Sequence, residues 1–156
     1  MNQPARPANG PKPARRRARE AVLQALYGWQ IGGQDLAACE TALHDIEGFN
    51  QLRDAEQKFA IGLLRGCIAH HETHREQLTP LLDRPFAELS PVEGCILLLG
   101  AHEMAQSPET PVRVVLNEAI ELAKTFGGTD GHKFVNGVLD RLAPVLRPLE
   151  SSRSSR

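Results

Sequence analysis

The clearest helix start in this chain is Ser90-Pro91-Val92-Glu93, which continues as Gly94-Cys95-Ile96-Leu97-Leu98-Leu99. Ser90 is suited to cap a helix, Pro91 is tolerated in the first turn, and Glu93 stands three residues after the serine, as in a capping box. The start of a helix is therefore predicted here. The apolar run of residues 95–99 then belongs to a buried helix and not to a strand.

Helical spacing of apolar residues continues on both sides of this stretch. The predicted helices upstream run from Ala14 to the Gly32-Gly33 pair, from Leu36 to Ile46 behind an Asp35 cap, and from about Leu52 to Leu78 before Pro80. Those downstream run from Thr110-Pro111 to the Gly127-Gly128 pair and from about Asp130 to Leu142 before Pro144. No stretch alternates as a half-buried strand does, so the sequence predicts an all-α fold of about six or seven helices.

The composition is that of a single globular domain. The chain has 156 residues, of which 41% are hydrophobic and 24% charged, and no run approaches the roughly 20 apolar residues of a membrane-spanning helix. The basic amino terminus is not followed by an apolar segment, which argues against a secretory signal. We therefore expect a cytoplasmic protein with a flexible proline-rich tail over residues 1–13, a folded domain over 14–146 and a flexible Ser/Arg-rich tail over 147–156.

The net charge of -1 conceals an uneven distribution. Residues 1–20 carry six Lys and Arg residues against Glu20 alone, a local charge of +5, which leaves -6 for the rest of the chain. A basic arm on an acidic body can bind a polyanion locally without the whole surface attracting it.

Signatures of catalysis and of metal binding are missing from the sequence. It contains no glycine-rich phosphate loop, GxSxG elbow or HExxH motif. The nearest approach is His70-His71-Glu72-Thr73-His74, in which two histidines share a helix face but lack the further ligands that zinc requires. The cysteines at positions 39, 67 and 95 form no CxxC pair and fit small buried residues. We expect a solvated polar helix end at residues 70–74, no metal, no cofactor and no enzymatic activity.

The first predicted helix carries a candidate polyanion site. At 100° per residue, Tyr27 falls about 20° from Arg16 and about 140° from Val22 in the apolar stripe, so it is predicted to be exposed. By the same geometry Trp29 belongs to the core. The basic cluster on the same polar face as Tyr27 consists of Arg15, Arg16, Arg17 and Arg19. Guanidinium groups bind phosphates and an exposed ring stacks on a base, which is the combination that single-stranded nucleic acid requires. A solvated positive terminus is the alternative interpretation.

A second candidate site lies at the start of the last predicted helix, in residues 126–134. Asp130 suits the helix cap. Phe134 falls at the margin of the apolar stripe on the same side as Asp130, which would leave it half exposed. Core positions for Phe126 and Phe134 are the alternative, and the residues alone leave both interpretations open.

Two strings of residues are more specific than these patterns. The first is Arg15-Arg16-Arg17-Ala18-Arg19-Glu20, continuing through Gln24-Ala25-Leu26-Tyr27. The second is Asn117-Glu118-Ala119-Ile120-Glu121-Leu122-Ala123-Lys124, followed by Phe126-Gly127 and His132-Lys133-Phe134-Val135-Asn136-Gly137-Val138-Leu139-Asp140. In order and spacing, and over about a third of the chain, they resemble the NusB family of bacterial transcription antitermination factors.

The resemblance implies a fold of two packed helical bundles and a protein that binds single-stranded boxA RNA together with the ribosomal protein NusE. It also implies loading onto the RNA polymerase antitermination complex, which suppresses premature termination in ribosomal RNA operons. The implied RNA-binding residues are Arg15, Arg16, Arg17, Arg19, Tyr27, Phe126, Asp130, Lys133 and Phe134, and the residue implied in NusE contact is Glu93.

Two other functions fit the same residues. A NusB-like domain also precedes the catalytic part of certain ribosomal RNA cytosine methyltransferases. The first alternative is therefore an RNA-binding partner of an rRNA-modifying enzyme whose catalytic part is a separate subunit. The second is a helical protein-interaction module whose basic arm binds acidic proteins.

Overall fold

The computed structural model describes residues 12–150, and this part of the chain is built from seven α-helices. They are α1 (Ala14–Gly32), α2 (Leu36–Asp45), α3 (Asp54–Ala69), α4 (His71–Leu78), α5 (Pro91–Gln106), α6 (Val112–Phe126) and α7 (Gly131–Leu146). Short 3-10 helices lie between them at Phe49–Gln51, Thr79–Leu81 and Phe86–Glu88. The prediction of an all-α fold with six or seven helices is confirmed. Within residues 12–150 no helix is long and apolar enough to cross a membrane.

Helix α5 is the centre of the fold. Every residue from Gly94 to Met104 is buried, and α5 contacts α1, α3 and α4 as well as α6 and α7. Ser90 caps this helix as predicted, because its Oγ accepts a hydrogen bond from the Glu93 backbone N–H at 3.5 Å. Helices α1, α2 and α3 contact one another, and so do α5, α6 and α7. The chain therefore forms two bundles joined along α5, with one continuous apolar core.

The ends of the first two helices agree with the sequence prediction. Gly33 adopts a left-handed φ of 68°, and its N–H donates to the Trp29 carbonyl, which ends α1. The Asp35 side chain accepts a hydrogen bond from the Ala38 N–H at 2.8 Å and so caps α2. Trp29 itself is half-buried and packs against the core, with its ring 4.8 Å from that of His71.

Two predicted helix boundaries are wrong. The single helix predicted over residues 52–78 is divided into α3 and α4, because the backbone at His70 leaves the helical region with φ -111° and ψ 16°. The last helix does not stop before Pro144 but continues to Leu146. Pro144 removes one N–H donor, yet the Arg147 N–H bonds the Ala143 carbonyl at 2.7 Å and closes the final turn.

Three histidines meet where α3, α4 and α5 pack together. The expectation of a solvated helix end is wrong for His74, which is 1% exposed. Its Nε2 lies 3.0 Å from Nδ1 of the buried His102, so one ring donates a hydrogen bond to the other. The ring of His70 stacks on that of His102 at 5.8 Å between centroids. Burial lowers the pKa of His74 and lowers that of His102 to about 4. Both buried rings are therefore neutral at pH 7.

The chain after α7 is tied to the turn between α5 and α6. Arg147 donates hydrogen bonds to the backbone carbonyls of Met104 at 2.7 Å and of Ser107 and Thr110 at 2.9 Å each. Its guanidinium also pairs with Glu150 at 2.6 Å. The predicted start of a flexible tail at Arg147 is corrected accordingly, because residues 147–150 are bonded to the folded domain. Residues 1–11 and 151–156, which make up most of both predicted tails, lie outside the described residues.

We expect Gly66→Ala to destabilise the protein, because a methyl group on Gly66 would overlap the ring of His102. Overpacking of this kind costs about 1–3 kcal/mol of unfolding free energy. Gly62→Ala, on the same helix, is the matched control because a Cβ there meets no other atom within 4 Å. The unfolding free energy of the Gly62→Ala variant should rise by about 0.5–1 kcal/mol. Urea unfolding measures both, and equal shifts in one direction would contradict the packing described here.

The buried histidines predict a loss of stability in mild acid. A histidine whose pKa is lower in the folded state binds its proton more tightly in the unfolded state. The contribution of the neutral, buried histidines to the unfolding free energy is therefore complete above the ordinary histidine pKa of 6.5. It is lost as the pH falls toward the folded-state pKa of about 4 for His102. The expected slope is about 1.4 kcal/mol per pH unit for each such histidine. Urea unfolding at several pH values tests this, with His102→Gln expected to reduce the slope.

Candidate nucleic-acid interface

The outer face of α1 carries the exposed members of the predicted site. Arg15 and Arg17 are exposed, and Arg16 is half-buried. Tyr27 is 40% exposed, as its position on the helical wheel predicted. Arg17 differs from its neighbours because no acidic side chain among the described residues pairs with it. It lies instead at the edge of a cavity of about 100 Å³ between α1 and the turn at Gly48.

The structure corrects the prediction that Arg19 contacts a phosphate. Its side chain points into the protein, and the residue is only 6% exposed. Its Nε and Nη2 donate to the Glu103 carboxylate of α5 at 3.0 and 2.8 Å. This buried, bidentate pair holds α1 against α5 and leaves the guanidinium without access to a phosphate. The sequence does indicate this inward direction, since Arg19 shares the helix face of Val22 and Leu26, three and seven residues further on.

Arg15 and Arg16 also have carboxylate partners. Arg15 Nε lies 2.5 Å from Glu56 Oε1 of α3, and its guanidinium stands 4.0 Å above the ring centroid of Phe59. Arg16 donates to both carboxylate oxygens of Glu118 on α6, at 3.0 and 3.1 Å. That hydrogen-bonded pair raises the pKa of Arg16. Sequence reasoning missed these carboxylates because they are 41 and 102 positions away along the chain.

The aromatic residues of the two predicted sites meet in one groove. A cavity of about 400 Å³ is lined by Leu23, Gln24, Tyr27, Val92 and Phe126. It joins the middle of α1 to the start of α5 and the end of α6. Tyr27 and Phe126 were predicted separately, and the fold brings them to a common surface. No local pattern in the sequence indicates that Leu23, Gln24 and Val92 line this groove, because their proximity depends on how the helices pack.

The loop after α6 and the start of α7 form the rim next to the groove. Asp130 and Lys133 are exposed and lie 3.4 Å apart, whereas Phe126 and Phe134 are half-buried and pack against the core. Asp130 adopts a left-handed φ of 64°, and its side chain does not cap α7. The Asp130 carboxylate therefore does not cap α7, and it remains accessible at the surface.

Glu93 lies next to this loop and not on a separate face. A Cβ atom on Gly131 would stand only 2.6 Å from Glu93 Oε2. Only a glycine allows the carboxylate to approach the start of α7 so closely. The residue predicted to contact a protein partner thus borders the residues predicted to contact RNA.

The metal site considered for residues 70–74 is not formed. Within residues 12–150 no group of three or more His, Cys, Asp or Glu side chains could hold a metal ion. The three cysteines are free thiols in buried positions, as expected. Burial raises the pKa of Cys67 and raises that of Cys95 to about 12, so these thiols are not nucleophiles at neutral pH.

The fold and the site together define a class of protein: an all-α binding protein whose basic helix and aromatic groove suit a single-stranded nucleic acid. Comparison with known proteins narrows the class to one family. Residues 16–144 match the NusB family, and the chain belongs to that family.

The similarity extends over nearly the whole chain. It is 58% identical over 140 residues to the transcription antitermination protein NusB of Dechloromonas aromatica, covering 90% of this chain and 84% of the relative. The solved structure of T. maritima NusB is 30% identical, with a TM-score of 0.80, and the match covers 91% of this chain and 98% of that one. A structure of the antitermination factors NusB and NusE with dsRNA has the same fold at 22% identity, with a TM-score of 0.74 over 85% and 97% of the two chains. The activity named for the curated relative, transcription antitermination, is not enzymatic.

We expect Arg19→Ala to destabilise the fold and Arg17→Ala to leave it unchanged. Removal of Arg19 leaves the Glu103 carboxylate buried without its partner, which costs about 3–5 kcal/mol. Arg17 is exposed and forms no ion pair within the described part of the chain, so its loss should change the unfolding free energy by less than about 0.5 kcal/mol. Thermal and urea unfolding compare the two variants. Equal stabilities would show that the Arg19 pair does not hold α1 to α5.

Proposed function

We propose that this chain is a transcription antitermination factor that binds boxA RNA together with the ribosomal protein NusE. In this role it joins the RNA polymerase antitermination complex and suppresses premature termination in ribosomal RNA operons. It acts as an adaptor, without catalysis. Membership of the NusB family and the names of its relatives support the class of activity. The cytoplasm, where bacterial transcription takes place, is the corresponding location.

The observation that carries the proposal is the groove shared by Tyr27 and Phe126, on the helix that also carries the arginine cluster. Single-stranded RNA is recognised through unstacked bases that lie on aromatic rings, while cations hold its backbone. The exposed ring of Tyr27 provides such a platform, and the groove is open enough to accept a base. Arg15, Arg16 and Arg17 lie on the same helix as Tyr27, about three turns toward its amino terminus.

Each surface residue then has a proposed role. Arg15, Arg16, Arg17 and Lys133 hold phosphates, Tyr27, Phe126 and Phe134 contact bases, and Asp130 reads a base edge. Arg19 contributes indirectly by fixing the orientation of α1. The RNA-binding unit is the helical domain over residues 14–146.

The position of Glu93 suggests how RNA and NusE are bound together. Its carboxylate lies against the start of α7, next to the loop that carries Asp130. A NusE surface at Glu93 would therefore border the RNA. Affinity for RNA should rise when NusE is present, because the two partners can contact each other as well as this chain.

The test is a fluorescence-anisotropy titration of labelled boxA RNA and a scrambled control, each with and without NusE. We expect tighter binding of boxA, strengthened by NusE. With Arg19 buried, the four remaining cations of the site predict a slope of log affinity against log salt of up to about -3, from roughly -0.7 per phosphate contact. Tyr27→Ala should weaken boxA binding by about tenfold or more through lost stacking. Tyr27→Phe, which keeps the ring, is the matched control.

Three results would count against the proposal. Equal binding of boxA and scrambled RNA, unchanged by NusE, would leave a basic helical module that recognises something else. A slope near zero would mean that the arginines do not contact phosphates. Equal affinities of the Tyr27→Ala and Tyr27→Phe variants would remove the groove from the site.

A further inference from the structure

Glu118 is placed between the two inner arginines of α1. Its carboxylate accepts hydrogen bonds from Arg16 Nε and Nη2 at 3.0 and 3.1 Å. The same Oε1 lies 4.0 Å from Arg19 Nη1. The Glu118 side chain is 16% exposed and that of Arg16 is 28% exposed. The pair is therefore partly shielded from solvent and salt, unlike an ion pair on an open surface.

This contact occupies the part of Arg16 that a phosphate needs. A guanidinium binds a carboxylate or a phosphate through the same fork of two parallel N–H groups. Glu118 fills the fork formed by Nε and Nη2, and Glu121 approaches the opposite side, with its Oε1 3.9 Å from Nη1. A phosphate that pairs with Arg16 must first displace the carboxylate of Glu118.

The other arginines of the cluster do not present the same competition. Arg17 has no carboxylate partner within the described residues. Arg15 pairs with Glu56 but also lies over the ring of Phe59, which holds the guanidinium in place independently of the carboxylate. The pair of Arg19 with Glu103 is buried and out of reach of RNA. Arg16 is thus the one surface arginine of α1 whose hydrogen-bonding fork is occupied by a bidentate carboxylate.

We propose that Glu118 is a built-in competitor for the RNA phosphate at Arg16 and sets the strength and salt dependence of RNA binding. The inference rests on the proposed function, since it concerns the same surface. In the free protein Glu118 neutralises Arg16. In the complex the displaced carboxylate remains beside the RNA backbone and offsets one cationic contact. Weak contacts with RNA of any sequence are therefore disfavoured, and stable binding depends on additional contacts such as those in the groove.

Glu118→Gln tests this directly, because it keeps the shape of the side chain and removes its charge. We expect both boxA and scrambled RNA to bind about two- to fivefold more tightly. The slope of log affinity against log salt should steepen by about 0.7, one further phosphate contact. Glu76→Gln is the control for net charge, since Glu76 is exposed on α4 and the described residues provide it no ion-pair partner. Its effect should be less than about twofold.

A double-mutant cycle separates local competition from general repulsion. In an Arg16→Ala background, Glu118→Gln should give no gain in RNA affinity, because the group it competes for is absent. Glu118→Asp serves as a second variant that keeps the charge but withdraws the carboxylate from Arg16, and it should give a smaller gain. Urea unfolding checks that each variant is folded, which is expected because Arg19 keeps its pair with Glu103.

The outcomes distinguish this inference from the proposed function. If Glu118→Gln binds RNA no better or more weakly than the unaltered chain, Glu118 positions Arg16 for RNA and the inference is overturned while the function stands. A gain that persists in the Arg16→Ala background would also overturn it. A gain on both RNAs without preference for boxA would support the inference and contradict the proposed sequence specificity. Absence of RNA binding by the unaltered chain would overturn both.

Discussion

Two polar side chains in the buried run of α5 determine how the rest of the fold is arranged. Between Gly94 and Met104 the only polar side chains are His102 and Glu103, and both are buried. A buried polar group is costly unless it is hydrogen-bonded. His102 finds His74 on α4, and Glu103 finds Arg19 on α1. Apolar packing alone would let the surrounding helices slide or rotate, whereas these two bonds require a particular position of α1 and of α4.

The orientation of α1 has direct consequences for the surface. Because Arg19 is fixed inward, Arg17, about 160° away around the helix, faces outward, whereas Arg16 and Tyr27, about 60° and 80° from Arg19, lie at the margins of the buried face. The packing of α6 on α5 then places Phe126 beside Tyr27 and Glu118 beside Arg16. An aromatic groove and a partly neutralised cationic edge are thus produced by the same arrangement of helices. The proposed recognition of RNA bases and the proposed competition for Arg16 are therefore properties of one surface.

The features that are predictable from the sequence are those that depend on the local spacing of residues. The exposure of Tyr27, the Asp35 cap and the burial of residues 95–99 follow from helical period and capping chemistry, and all three are confirmed. The break at His70 was missed because neither glycine nor proline marks it. The inward direction of Arg19 is indicated only by its register with Leu26, whereas its charge predicts an exposed position. The groove and the carboxylate partners join distant parts of the chain, which no local pattern encodes.

The bonds of Arg147 bear on how the protein is synthesised. The carbonyls of Met104, Ser107 and Thr110 precede this arginine by about forty residues. Glu150, just beyond it, also accepts a hydrogen bond from the Val112 N–H at the start of α6. During translation the turn between α5 and α6 leaves the ribosome without these partners. The second bundle, and with it the Phe126 side of the groove, reaches its final structure only when the last helix and the residues after it have been made.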